Sequence, residues 1–140
     1  MQIGKLDPRR YFKVLHLPRD GWDAVHHAAT GVLLWWSFIF ALPGSTYATG
    51  QAFDVMRAIA SEHVWAVVFF AFALVGWWGI ETRSGEVRRV SCLMLSIGHS
   101  LIAWSVFTSA PLGTGSGTYA IIAILALGRM VADADSPRIP

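Results

Sequence analysis

The sequence predicts an all-α membrane protein, a four-transmembrane-helix bundle with an N-terminal interfacial amphipathic helix. Three observations predict it. Hydrophobic residues make up 54% of the 140 positions and charged residues 14%, with a mean hydropathy of +0.49, a balance that suits lipid as the main solvent. The apolar residues gather in four stretches of near membrane length. Ten of the eleven Lys and Arg residues fall on one side of that pattern: Lys5, Arg9, Arg10, Lys13 and Arg19 before the first stretch, Arg83, Arg88 and Arg89 between the second and third, and Arg129 and Arg138 at the end, with Arg57 as the exception. Short basic loops stay cytoplasmic during insertion, so four crossings with both termini cytoplasmic satisfy the bias. The chain divides accordingly into a cytoplasmic segment 1–23, a four-helix domain 24–132 and a cytoplasmic tail 133–140.

Asp7-Pro8 is a helix-start signal and Pro18 ends what begins there. Tyr11, Phe12, Val14 and Leu15 share one arc with Pro8, while Arg9, Arg10, Lys13 and His16 share the other. That pattern predicts an interfacial helix whose basic arc meets anionic headgroups. A cleavable signal peptide needs an early apolar run, which Met1 to Asp23 lacks, so the first crossing is expected to persist as a signal anchor.

The first crossing spans about Ala24 to Leu42, and its 19 residues cover about 28 Å before Pro43-Gly44 ends it. Ser45 to Ser61 is too polar to cross; its apolar positions Ala52, Phe53, Val55, Met56, Ile59 and Ala60 recur at helical spacing, which predicts a segment along the outer surface. Ser61-Glu62 opens the second crossing, Ser as cap and Glu in the first turn, and it runs to about Ile80. Glu81 to Arg89 is a short charged turn that makes the second and third crossings an antiparallel hairpin.

The third crossing is about Val90 to Thr108, and the uncharged connector Ala110 to Gly117 leads to a fourth of about Thr118 to Ala132. Its 15 residues cover only about 22 Å, so Arg129 snorkels, the bilayer thins, or the helix starts inside the glycine-rich loop. Trp22, Trp65, Trp77 and Trp78 sit where indoles meet headgroups and are expected as membrane-surface anchors, whereas Trp35, Trp36 and Trp104 lie deeper and are expected to pack between helices. Ala73, Gly76 and Gly79, and on the first crossing Thr30, Gly31 and Ser37, offer notches for close helix approach.

Paired histidines at one depth hold b-type haem in many small bundles. Here His26 and His27 lie near the inner surface, His63 at the outer surface and His99 near mid-membrane, so haem is disfavoured. His26 and His27 diverge by about 100° on a helix, poor geometry for one metal ion. No cofactor and no metal are therefore predicted. Cys92 is the sole cysteine, which excludes an intramolecular disulfide and thiolate clusters.

His99 is the least expected side chain, because an ionisable group inside a crossing faces protein or water. With Ser96 and Ser100 it forms the candidate intramembrane polar site, on a helix whose Ser91, Cys92, Gly98, Ala103 and Ser105 add a small, polar face. Hydrogen bonding at a helix contact accounts for it without a function; a proton relay is the sharper alternative. The glycines of GTGSGT lack a Gly-Lys-Ser/Thr ending and a preceding strand, so a connector suffices. No serine, histidine and acid group at one depth and no carboxylate pair lies within the membrane. Enzymatic activity is not expected, nor is nucleic-acid binding, since the basic residues track the loops.

From about Glu62 to Pro137 the chain resembles small integral membrane proteins encoded by tailed bacteriophages, through EHVWAVVFFAF, an Arg-bearing turn, IAWSVF and PLGTGSGTYAIIAILAL. The resemblance implies a protein of the bacterial cytoplasmic (inner) membrane, with no catalytic residues to transfer. The function expected first is a non-enzymatic membrane protein acting through lateral helix association as a homo-oligomer, holin-like in its sharpest form. The alternatives are an anchoring or accessory subunit of a larger membrane complex, such as a redox complex, and a proton or small-ion pathway through His99.

Overall fold

The computed structural model describes residues 19–43, 53–82, 84–109 and 114–134, and among them every regular element is helical. Four long helices, α1 (Arg19–Ala41), α3 (Glu62–Glu81), α4 (Gly85–Ser109) and α5 (Thr114–Ala134), are joined by a short helix, α2 (Asp54–Ile59). All four long helices are long and apolar enough to cross a membrane. The N-terminal amphipathic segment with Arg9, Arg10 and Lys13, the segment 44–52 and the tail beyond residue 134 lie outside the described residues.

Helix ends follow local chemistry. α1 stops at Ala41 because Pro43 disfavours helical backbone at the residue before it. Ser61 takes the N-cap position of α3 in extended backbone, but its hydroxyl makes no cap hydrogen bond. Its carbonyl instead accepts the Trp65 amide at 3.2 Å. Thr82 closes α3 by donating its amide to the Trp78 carbonyl. The next helix begins at Gly85, five residues before the expected Val90, so Arg88 and Arg89 stand on helix and not in the turn. The 21 residues of α5 cover about 31 Å. Of the three ways to lengthen the fourth crossing, extension into the glycine-rich loop is the one realised.

Successive long helices pack as neighbours, α1 on α3, α3 on α4 and, most extensively, α4 on α5. The bundle closes on itself along a sparser seam between α1 and α5. Arg19, Arg88, Arg89 and Arg129 share one end, called here the basic end. Leu33, Phe40, Phe69, Leu95 and Ile102 fill the interior without exposure. At the opposite end Phe53 and Met56 tuck α2 onto the bundle, with Phe53 edge-on to Trp36 at 5.1 Å and to Phe40 at 5.6 Å.

Several indoles depart from expectation. Trp22 and Trp65 are buried in the bundle, and Trp65 Nε1 donates to the Met56 carbonyl at 2.9 Å, so neither indole serves as an exposed anchor. Trp35 and Trp104, expected inside, are each 60% exposed. Trp36 does pack inward, and Trp77 and Trp78 are exposed at the basic end as anchors require. Phe38, Phe70, Leu74, Phe107, Ile121 and Ile124 extend the apolar exterior.

Glycines set two of the helix contacts. A Cβ at Gly79 would overlap Ser91 Oγ and press on His26 Cε1 at 3.2 Å; one at Gly76 would meet Thr30 Oγ1 at 2.6 Å. Gly31, expected as a notch, has nothing within 4 Å and is none. Gly79→Ala is therefore predicted to destabilise the bundle by about 1–3 kcal/mol, and Gly31→Ala to leave stability unchanged or slightly raised. Thermal unfolding in detergent checks both.

Candidate functional site

A gathering of polar side chains, several of them buried, lies at the basic end, and residues of all four long helices border it. Asp23, His26 and His27 come from the first turns of α1, Ile80 from the end of α3, Arg88, Ser91 and Cys92 from the start of α4, and Arg129 from the last turns of α5. His26, Ser91, Cys92 and Arg129 are buried. Gly79 makes this possible, since only a residue without a side chain lets Ser91 and His26 meet against α3.

The hydrogen bonds fix most of the protons. Ser91 Oγ lies 2.8 Å from the Arg88 carbonyl and 3.2 Å from His26 Nε2. A carbonyl only accepts, so the single hydroxyl hydrogen goes to Arg88 and His26 donates from Nε2. His26 Nδ1 then holds a lone pair, and Cys92 Sγ stands 3.8 Å from it as the thiol donor. Arg129 Nη2 donates to Asp23 Oδ1 at 2.8 Å, a pair between a guanidinium side chain only 4% exposed and a carboxylate 51% exposed. Arg129 thus turns into the bundle and does not snorkel outward. His27, on the outer side of α1, donates Nδ1–H to the Asp23 carbonyl at 2.8 Å. Asp23, His26, His27, Ile80 and Arg88 together line a cavity of about 130 Å³.

This gathering overturns the expectation that no serine, histidine and acid share a depth. It does not form a catalytic relay. Asp23 Oδ1 goes to Arg129, both His26 ring nitrogens face Ser91 and Cys92, and the serine and the thiol are sealed from solvent. No group of three or more His, Cys, Asp and Glu among the described residues has a metal-binding arrangement.

The predicted intramembrane site is only partly assembled. His99, near the middle of α4, is fully buried; its Nδ1–H donates to the Leu95 carbonyl at 2.7 Å, and Nε2 has no hydrogen-bond partner. Ser96 is buried beside it and donates across the interface to the Ala123 carbonyl at 3.0 Å. Ser100 points to the exposed face of α4 and does not join them. Tyr119, its ring centroid 6.4 Å from that of His99, accepts from Trp36 Nε1 at 2.9 Å, which makes a second polar clasp between α1 and α5.

Sequence reasoning missed the basic-end cluster. Its available signal was the acid Asp23 one turn before His26, with Ser91-Cys92 nearly two turns into the facing helix. No protein-family profile, curated protein or solved structure matches the chain.

Removing Asp23 takes a carboxylate away from a buried guanidinium. Asp23→Ala is predicted to cost about 3 kcal/mol, near the low end for broken buried pairs because Asp23 is half-exposed. The double variant Asp23→Leu with Arg129→Leu should recover most of that loss, as measured by unfolding in detergent.

Proposed function

We propose that this chain is a non-enzymatic protein of the bacterial cytoplasmic membrane, both termini cytoplasmic, that acts by lateral self-association and opens the bilayer in the manner of a holin. One observation carries the proposal: beneath an apolar exterior, the buried faces of α1 and α4 carry polar side chains set among the apolar core residues. His26, Thr30 and Ser37 line the buried face of α1, and Ser91, Ser96, His99 and Ser105 that of α4, while the exterior presents Trp, Phe, Leu and Ile. A lipid-embedded bundle held by packing alone needs no such interior. Polar stripes of this kind suit helices that exchange partners within the membrane.

The α1–α5 seam is where such an exchange would start. Its two clasps are Asp23–Arg129 and Trp36–Tyr119. Neutral hydrogen bonds between membrane helices average about 0.6 kcal/mol, so the Trp36–Tyr119 clasp is weak and the ion pair dominates closure. Parted helices expose their polar faces, which lipid cannot satisfy and which copies of the chain satisfy mutually around water. A partner-docking subunit is the competing account, and the outward Trp35 and Trp104 are its best support.

Inducible expression in bacteria, with membrane potential followed over time, tests the proposal. Cells are predicted to depolarise and to lyse when an endolysin is supplied. A short bismaleimide joining Asp23→Cys to Arg129→Cys, in a Cys92→Ala background, should hold the seam closed and abolish both effects. Cells that stay polarised and intact with the unlocked protein contradict it, as does purification as a fixed complex with a second protein. His99→Ala separates this mechanism from a relay through the imidazole. Association is predicted to survive that change with permeability retained, whereas a relay would lose its flux.

A further inference from the structure

We propose that the basic-end cavity binds the headgroup of an aminoethyl phospholipid, with the phosphodiester held by Arg88 and the ammonium by Asp23. The cavity of about 130 Å³ is lined by Asp23, His26, His27, Ile80 and Arg88, far above the roughly 10–15 Å³ that one water needs on the same measure. Its lining carries both signs of charge, which suits a zwitterion better than a simple anion.

Each lining residue has a distinct part. Asp23 engages Arg129 through Oδ1, is half-exposed and lines the cavity. An ammonium with N–H donors is its natural partner there. Arg88, half-buried on the first turns of α4, supplies the guanidinium for phosphate oxygens. His27 also lines the cavity, its Nδ1–H held by the Asp23 carbonyl. His26 does not bind, because Ser91 and Cys92 take both of its nitrogens; it forms a fixed wall. Ile80 closes the apolar side, where a glycerol backbone leads toward acyl chains.

The position agrees with a lipid source. Asp23 lies four residues into α1, Arg88 three residues into α4, and Ile80 one residue from the end of α3. The cavity is thus about one helical turn from the basic end, at headgroup depth if the bundle spans a bilayer. The proposal rests on the membrane placement alone and is independent of any permeabilising activity.

Full-length protein in detergent is titrated with phosphatidylethanolamine, phosphatidylcholine and phosphatidylglycerol of identical acyl chains, and bound lipid is counted by native mass spectrometry. Phosphatidylethanolamine is predicted to be retained about tenfold over the other two, since choline lacks N–H donors and glycerol lacks the cation. Arg88→Gln should erase the preference while the protein stays folded by circular dichroism. Equal retention of the three lipids overturns the proposal, as does a preference that survives Arg88→Gln. Free phosphoethanolamine is the second arm: if it raises the unfolding temperature as much as the lipid does, the ligand is a soluble aminophosphate and the lipid assignment fails. Failure to float with liposomes would instead remove the membrane placement itself.

Discussion

A guanidinium buried near the end of a membrane-length helix must find a carboxylate, and Arg129 finds Asp23 across the α1–α5 seam at 2.8 Å. The rest of the structure is arranged around that requirement. The pair ties the first long helix to the last, which converts four successively packed helices into a closed bundle. It also fixes the first turns of α1, and so places His26 against Ser91 and Cys92 and His27 over the cavity. Gly79 supplies the remaining condition, a contact on α3 thin enough for those side chains to meet.

Toward the opposite end a different economy holds. Phe40, Phe53, Phe69, Trp36 and Trp65 pack as an aromatic cluster under α2, with ring centroids between 5.1 and 6.0 Å apart along its successive pairs. Aromatic pairs of this geometry contribute about 0.5–1.5 kcal/mol each beyond their buried area. One end is thus held by dispersion and ring geometry, the other by charge and hydrogen bonds. Between them His99 carries an unpartnered Nε2 in a sealed interior, a cost that a purely structural core would avoid with Leu or Phe.

Much of the helical plan was legible because it rests on local chemistry: Pro43 ending α1, Glu62 opening α3, the short charged turn before α4, and the buried positions of Gly76 and Gly79. What escaped depends on phase around a helix or on distant sequence. Trp35 and Trp36 are adjacent, yet one faces out and the other in, since consecutive residues diverge by about 100°; depth along the crossing could not separate them. The same rotation sends His26 inward and His27 outward. Glycines at 115 and 117 argue for a loop by propensity, but packing on α4, with Val106 only 3.5 Å from a Cβ at Gly115, prevails. Arg129 and Asp23 are 106 positions apart, and nothing local to either announces the other.

The central claim is that a closed bundle with polar side chains on its buried faces opens along α1 and α5 to line water. Accessibility of that interior to a membrane-impermeant thiol reagent tests it most directly, with cysteine placed singly at Ser96 and at His99 in a Cys92→Ala background. Both positions are predicted to be protected before permeabilisation and to label at the rate a soluble dye begins to cross. Protection that persists while the dye crosses would contradict the account, because the path would then lie outside the bundle's polar faces.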